Sequence, residues 1–467
     1  MISFHRHFFT IAILLFVQLS SGQNKVVKID SICNELFQKG EFNGNVLVAE
    51  KGEPIYLKSF GIANELTGEK LNSNSVFELA SVSKQFTAMA IVILKERRKL
   101  SYEDKMSKYL PELSFYKNIT VRNLLNHTGG LADYMQLMDS VYDKGKIATN
   151  KDIIECFAKH KPKVFFEPGE KFGYSNTGYA LLASIIERVS GKTYGEFLSE
   201  SIFVPLKMSN TLVYTRRYAP KKVDNYAYGY IYNDSLKRNF LPDSLEETKM
   251  VIWLDGIVGD GTVNSTATDL LKWDRALYTE TLVSKAALKE MFTPPSLKNG
   301  NKSNYGFGWS TEENENFGKI IKHAGGWPGY VTYIERHVDN DKTVIILQNT
   351  SKANMPIGKI RNVLYNKSRQ EPIVRKEVQL PKEMLARYVG TYEIEDGFVI
   401  KVFIEGSELK AQATDQEPAT IFAEAENKFF YKIVDAQIEF VSDKKKINKL
   451  ILHQAGRKIE AVRIARN

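Results

Sequence analysis

The sequence contains few cysteines and none of the common metal-binding motifs. Its 467 residues include two cysteines, Cys33 and Cys156, which are too few for a disulfide scaffold. We expect two buried thiols, with a single bridge between them as the alternative in an oxidising compartment. The seven histidines are scattered, without His-Glu-x-x-His or Cys-x-x-Cys spacing. The sequence therefore gives no support for a metal site.

Basic blocks interleaved with aromatic residues are also missing, so we expect no nucleic-acid partner. The formal net charge is nevertheless +9, with 43% hydrophobic and 25% charged residues, a composition typical of globular proteins. A positive surplus favours contact with anionic surfaces such as cell-wall polymers. A mildly basic, solvated surface explains the same surplus without any partner.

The first 22 residues have the pattern of a secretory signal peptide. A short basic stretch, "MISFHRH", precedes the apolar core "FFTIAILLFVQL", and "SSGQ" offers small residues for cleavage near Gly22. The apolar core is too short to span a bilayer. We therefore predict a signal peptide at 1–22 and a periplasmic or secreted mature protein without a membrane span, against the alternative of an uncleaved anchor.

The order of predicted elements indicates a layered α+β domain at residues 23–365. A helix in "KVVKIDSICNELFQKG" precedes two strands around the "KGEP" turn, and a hairpin of "YVTYIERH" and "KTVIILQN" follows much later. The segment between them is mostly helical. One sheet would then combine strands from both ends of the region, and helices must cover it.

A second domain follows a charged, proline-containing linker at 366–381. The remaining residues, 382–467, form short strand-like segments at regular spacing. Seven segments qualify: "YVGTYEI", "FVIKVFIEG", "ELKAQAT", "KFFYKIV", "QIEFVSD", "KLILHQAG" and "KIEAVRI". This pattern predicts a small antiparallel barrel or sandwich. It holds no compact set of catalytic residue types, which favours an accessory role.

A lysine stands in "FELASVSKQFTAMAIVIL" where helix physics disfavours one. Ser81 has the features of a helix N-cap before an apolar helix, so Lys84 falls in the first turn, at the positive end of the helix dipole. Three residues apart, the two side chains share a helix face. Burial disfavours the ammonium form, which would let Lys84 take the proton of Ser81. The alternative is a simple cap with a lysine that extends to solvent.

Two further stretches carry polar residues suited to catalysis. "FGYSNTGY" places Tyr174 and Asn176 in one short loop before a helix, and "KHAGGWPGY" places His323 before Gly325 and Gly326 where a strand is predicted to begin. Tyrosine can relay a proton and asparagine can bond a carbonyl, while glycines allow close approach to a strand. Taken singly, each stretch is equally typical of an ordinary turn or bulge.

Taken together and in order, the three motifs resemble those of the penicillin-recognising serine hydrolases. The Tyr-x-Asn form is similar to class C β-lactamases and to the related D-alanyl-D-alanine carboxypeptidases, D-aminopeptidases and esterases. The resemblance covers residues 25–365 and implies an antiparallel sheet with flanking helices and an all-helical subdomain. The C-terminal strands are similar to the lipocalin-like barrels that often follow such domains.

The resemblance implies a role for each motif residue. Ser81 would be the acylated nucleophile, Lys84 the group that activates it, and Tyr174 the general base and then acid. Asn176 would position substrate, and the N–H groups of Ser81 and Gly326 would form the oxyanion hole. Neither a metal nor a cofactor is needed.

The main departure from the family pattern is His323, which occupies the position of a strand lysine ahead of Gly325. Histidine is largely neutral near pH 7, which weakens the expected recognition of a substrate carboxylate. The sequence thus predicts an exported hydrolase of an ester or amide: a peptidoglycan-type D-amino-acid peptide, a β-lactam or a small ester. The alternatives are a true β-lactamase and a penicillin-binding sensor that deacylates slowly.

Overall fold

The computed structural model describes residues 24–367, 375–395, 398–414, 418–432, 436–443, 446–454 and 457–464. The predicted signal peptide at 1–22 lies outside the described residues, as do residues 368–374 of the predicted linker, and both stay predictions. The chain divides into two compact units, Met1–Lys367 and Ser368–Asn467.

The first unit begins with helix α1 (24–38), which ends just before Gly40 as predicted. Strands β1 to β5 follow at Gly44–Glu50, Glu53–Phe60, Ile62–Asn64, Glu69–Lys70 and Phe77–Glu78. A 3-10 helix at Ala80–Ser83 leads directly into α2 (Lys84–Glu96). Helices α3 to α8 then lie at Met106–Tyr109, Val121–Leu125, Tyr134–Val141, Asn150–His160, Asn176–Ser190 and Tyr194–Leu198.

Short elements connect this helical region to the late strands. They are β6 (Leu212–Val213), β7 (Ile231–Asn233), β8 (Arg238–Phe240), α9 (Met250–Trp253), β9 (Val263–Ser265), α10 (Ala267–Ala276) and α11 (Lys285–Met291). Strands β10 to β13 occupy Ser310–Asn314, Gly318–Trp327, Tyr330–His337 and Lys342–Gln348, and α12 (Ile357–Leu364) closes the unit.

The main sheet joins strands from both ends of the unit, which confirms the predicted α+β class. Its order is β10-β11-β12-β13-β1-β2. The late strand β13 pairs with β1 in antiparallel register, with Val46 opposite Ile346 and Leu47 opposite Ile345. The predicted hairpins around residues 51–52 and 338–341 both form.

Both faces of this sheet are buried, because successive side chains of a strand point to opposite sides. Val46 and Ile346 pack in one hydrophobic cluster with residues of α1 and α12. Leu47 and Ile345 pack in the main cluster with α2 and the other helices. The structure is therefore three-layered, and α2 lies in its interior. No helix in the described part of the chain is long and apolar enough to cross a membrane.

Some local predictions differ from the structure. Ser81 is not a helix N-cap: it lies inside the 3-10 helix, and Ser83 occupies the N-cap position of α2 without a side-chain capping bond. His323 lies in the middle of β11 rather than at its start. Both cysteines are free, since Cys33 and Cys156 pack against different hydrophobic clusters. Only Cys33 is buried, and Cys156 is partly exposed.

The second unit is a closed barrel preceded by α13 (Lys382–Leu385). Its described strands, β14 to β21, are Gly390–Glu395, Phe398–Glu405, Glu408–Ala413, Ala419–Ala425, Lys428–Tyr431, Ala436–Asp443, Lys446–Gln454 and Arg457–Ile464. The prediction of an antiparallel barrel is confirmed, but its count of seven strands was one short. It missed β17 (Ala419–Ala425), whose alanines dilute the β-branched and aromatic signal.

Candidate active site

Ser81 is presented by a short, strained connection between a strand and a buried helix. Strand β5 pairs with β9, and the chain then turns through Ala80, whose φ of 48° falls in the left-handed region. Such a conformation is costly for alanine and persists where the surroundings enforce it. The turn directs the following 3-10 helix so that Ser81 lines a cleft.

Lys84 lies fully buried at the base of the cleft, directly beneath Ser81. Its Nζ donates hydrogen bonds to Ser81 Oγ at 3.1 Å, Asn176 Oδ1 at 2.8 Å and the backbone oxygen of Asp260 at 2.7 Å. Three acceptors match the three donors of an ammonium group. The structure therefore brings Asn176 to Ser81 and Lys84, although Asn176 lies 92 residues beyond Lys84 in the sequence.

The loop that carries Tyr174 is fixed by the start of helix α7. Ser175 is the N-cap, and its hydroxyl accepts a hydrogen bond from the N–H of Gly178. Asn176 is consequently the first helical residue rather than a loop residue. Tyr174 is 46% exposed, and its ring centroid lies 5.0 Å from Lys84 Nζ. A tyrosine therefore stands between solvent and the buried lysine.

His127, to which the sequence analysis gave no role, contacts this loop at two residues. Its Nδ1 accepts a hydrogen bond from the N–H of Ser175 at 3.1 Å, and its ring lies 4.3 Å from that of Tyr174 between centroids. Its Nε2 is buried and has no hydrogen-bond partner among the described residues. Burial and the charge of Lys84 lower the pKa of His127 well below its usual value, so its ring is neutral.

His323 is also neutral, and it is not one of the residues that line the cleft. Its Nδ1 lies 2.6 Å from the backbone oxygen of Ala324, and its Nε2 lies 2.8 Å from the hydroxyl of Tyr305. Because a carbonyl only accepts, Nδ1 carries the proton and Nε2 accepts from Tyr305. Burial and the charge of Lys84 lower the pKa of His323 to about 3. This side chain offers no cation to a substrate.

The two glycines after His323 allow strand β11 to lie close to Ser81. A Cβ atom on Gly325 would lie 2.2 Å from the backbone oxygen of Leu79 and 3.2 Å from the nitrogen of Ser81. Only glycine permits this approach. Gly326 follows on the cleft wall, exposed and with open space around it.

The cleft above these residues encloses about 500 Å³, including its solvent-open part. Its wall includes Trp327 together with apolar Leu254 and Ile257. It also includes three acidic residues that sequence reasoning missed, Glu78, Asp255 and Asp260. Burial raises the pKa of Glu78 to about 7 and raises the pKa of Asp260. Among the described residues, no His, Cys, Asp or Glu cluster is arranged to hold a metal ion.

A buried lysine bonded to a cleft serine, with a tyrosine beside it, is the arrangement of a serine hydrolase that uses lysine and tyrosine in place of histidine and aspartate. Comparison with known proteins agrees. A family described as "Beta-lactamase" matches residues 31–364, and a "Domain of unknown function (DUF3471)" matches residues 374–463. The chain belongs to the beta-lactamase family, and it is a serine hydrolase.

The chain is similar to "Penicillin-binding protein 4*" of Bacillus subtilis (strain 168), with 41% identity over 94% of this chain and 99% of that protein. It is 29% identical to "Teichoic acid D-alanine hydrolase" of Staphylococcus aureus, over 72% of this chain and 76% of that protein. The structure of D-amino acid amidase from Ochrobactrum anthropi SV3 covers 73% of this chain and 99% of its own, with a TM-score of 0.62 and 24% identity. This last likeness shows the fold.

Proposed function

We propose that the protein is an exported hydrolase that cleaves an ester or amide of D-amino-acid type through an acyl-enzyme on Ser81. The observation that carries the proposal is the hydrogen bond between Lys84 Nζ and Ser81 Oγ at the base of an open cleft. Two similar proteins, a teichoic acid D-alanine hydrolase and a D-amino acid amidase, support the substrate type. The signal-like residues 1–22 support export.

In the first step, Ser81 Oγ attacks the substrate carbonyl carbon and its proton passes to the phenolate oxygen of Tyr174, whose own proton is held by the neighbouring Lys84 as an ammonium group. The oxygen of the tetrahedral intermediate takes a negative charge and accepts hydrogen bonds from the N–H groups of Ser81 and Gly326. The bond to the leaving group then breaks, and the leaving group takes the proton from Tyr174. Asn176 holds the substrate and Lys84 in position.

In the second step, water attacks the ester carbonyl of acyl-Ser81 and gives a proton to Tyr174. The bond to Ser81 Oγ breaks, Ser81 recovers its proton, and the free acid leaves. The protein thus returns to its starting state without a metal or cofactor.

Specific β-lactam hydrolysis is the weaker candidate, because penicillins carry a carboxylate and His323 offers no positive charge to bind it. Its neutral ring is already bonded to Tyr305 and Ala324. A small, uncharged or cationic acyl group suits the cleft better.

The test is intact-protein mass spectrometry over time, after mixing the mature protein separately with p-nitrophenyl acetate and with benzylpenicillin. We expect a transient acetyl adduct with product release, and little adduct from the penicillin. Ser81→Ala should form no adduct. Ser114→Ala is the matched control, since Ser114 and Lys117 repeat the Ser-x-x-Lys spacing on the surface. An adduct that stays would indicate a sensor, and labelling of Ser81→Ala would refute Ser81 as nucleophile.

A further inference from the structure

The wall of the cleft around Ser81 carries negative charge only. Three of its residues, Glu78, Asp255 and Asp260, are acidic, and no cationic side chain belongs to the wall in the described part of the chain. Lys84 lies beneath the wall, and its Nζ already donates to three acceptors. A substrate entering the cleft therefore meets carboxyl groups and no cationic side chain on its wall.

Two of the three carboxylates are occupied by the protein itself. Asp255 Oδ1 accepts from Arg217 Nη1 at 2.9 Å, and its Oδ2 accepts from the backbone N–H groups of Arg217 and Tyr218. Asp260 Oδ2 accepts from the hydroxyl of Tyr134 at 3.0 Å. These bonds fix both side chains in structural roles.

The carboxylate of Glu78 has no hydrogen bond and no ion pair within the described residues. The two arginines nearby bind Asp243 instead, at 2.8 Å for Arg216 and 2.7 Å for Arg217. Glu78 is half-buried on β5, three residues before the nucleophile. Burying a carboxylate without a partner costs free energy. Burial raises the pKa of Glu78 more than the two arginines lower it, so that the pKa is about 7. The position suits a ligand that supplies the missing cation.

We propose that Glu78 binds the α-ammonium group of the substrate, so that the enzyme acts on aminoacyl esters or amides whose amino group is unblocked. This inference rests on the proposed function, because the aminoacyl carbonyl is the one that Ser81 attacks. The α-nitrogen is attached to the carbon next to that carbonyl, so its partner must share the cavity with Ser81. Glu78 meets this requirement. An N-acylated substrate lacks the charge and leaves Glu78 unpaired.

The experiment compares D-alanine p-nitroanilide with N-acetyl-D-alanine p-nitroanilide as substrates of the mature protein. We expect kcat/KM for the free amine to exceed that for the acetylated compound by about tenfold or more, the range of a charge-assisted hydrogen bond. Glu78→Gln should abolish most of this preference, mainly through a higher KM. Glu53→Gln, an exposed glutamate at the start of β2, should keep it.

A second readout needs no turnover. Ser81→Ala should bind D-alaninamide at least tenfold more tightly than N-acetyl-D-alaninamide in calorimetry, and the double variant with Glu78→Gln should bind both alike. Equal affinity of Ser81→Ala for the two amides, or a preference that survives in Glu78→Gln, would overturn the role of Glu78. Failure of the proposed function would look different: neither anilide would be hydrolysed, and Ser81 would resist fluorophosphonate labelling while the binding preference persisted.

Discussion

Lys84 Nζ lies 3.1 Å from Ser81 Oγ, and this hydrogen bond joins the first residue of helix α2 to a residue that lines the cleft. The same nitrogen also binds Asn176 and the backbone of Asp260. One buried lysine thus connects Ser81, the amide of Asn176 and the segment of the cleft wall at Asp260.

Replacement of this lysine should therefore stop acylation. We expect Lys84→Met to lower the rate of fluorophosphonate labelling of Ser81 by about 10²-fold or more, since it removes both the proton-handling group and three hydrogen bonds. Lys117→Met is the control, because Lys117 is exposed and has the same spacing from a serine. A near-normal labelling rate in Lys84→Met would refute its role.

Tyr174→Phe should lower the rate of acylation while the stability of the fold stays nearly unchanged. The hydroxyl belongs to a ring that is 46% exposed, so its loss should change the free energy of unfolding by about 0.5 kcal/mol or less. Acylation should still fall about 10²-fold if the hydroxyl carries the proton. Tyr218→Phe, at 53% exposure, is the matched control, and equal labelling rates in the two variants would exclude Tyr174 as the base.

We expect His127 to position the loop that carries Tyr174, because it contacts both Ser175 and Tyr174. Two substitutions test this role. His127→Phe keeps a ring beside Tyr174 but leaves the N–H of Ser175 without its acceptor, which costs about 1–3 kcal/mol. His127→Asn restores an acceptor and tolerates the φ of 58° at this position. We expect kcat for ester hydrolysis to fall in the Phe variant and to recover in the Asn variant. Equal activity in the two would leave His127 with a packing role alone.

The raised pKa of Glu78 predicts how stability depends on pH. The folded-state value of about 7 exceeds the ordinary 4.5, so the folded protein holds a proton that the unfolded chain releases, and stability falls as pH rises from about 4.5 to 7. Arg216, Arg217, Asp255 and Asp260 are the charged groups facing this carboxyl.

Glu78→Gln removes the carboxyl group, and with it the loss of stability at high pH. We expect the variant to be more stable than the wild type by on the order of 1 kcal/mol at pH 8, and to match it near pH 4.5. Chemical denaturation at the two pH values measures the difference. Equal stability at pH 8 would contradict the unpaired carboxylate.

Gly325→Ala should damage both fold and site. The added methyl group would meet the backbone oxygen of Leu79 at 2.2 Å and the hydroxyl of Thr332 at 2.3 Å. Strand β11 must then move away from the nucleophile, at a cost of about 1–3 kcal/mol. Gly326→Ala adds its methyl group to open space, so its melting temperature should stay near that of the wild type. Equal melting temperatures for both variants would refute the close approach.

Structural elements that are indicated by neighbouring residues in the sequence were predicted correctly. The β1–β2 and β12–β13 hairpins, the buried helix α2 and the sheet built from both ends of the unit all form. The barrel shows what such signals miss. Strands that alternate in direction close with antiparallel pairing throughout only when their number is even, so the eighth strand is required by closure even though Ala419–Ala425 has a weak local pattern.

The sequence by itself determined the family, because the Ser-x-x-Lys spacing and the order of the three motifs can be read along the chain, and it predicts the residues that would carry the chemistry. Only the tertiary structure decided the surroundings of that chemistry. Glu78 and His127 lie in unremarkable positions of the chain, and their importance arises from strands and helices that fold against them. Burial and nearby charge set the protonation of Glu78 and His323, and both depend on residues distant in sequence.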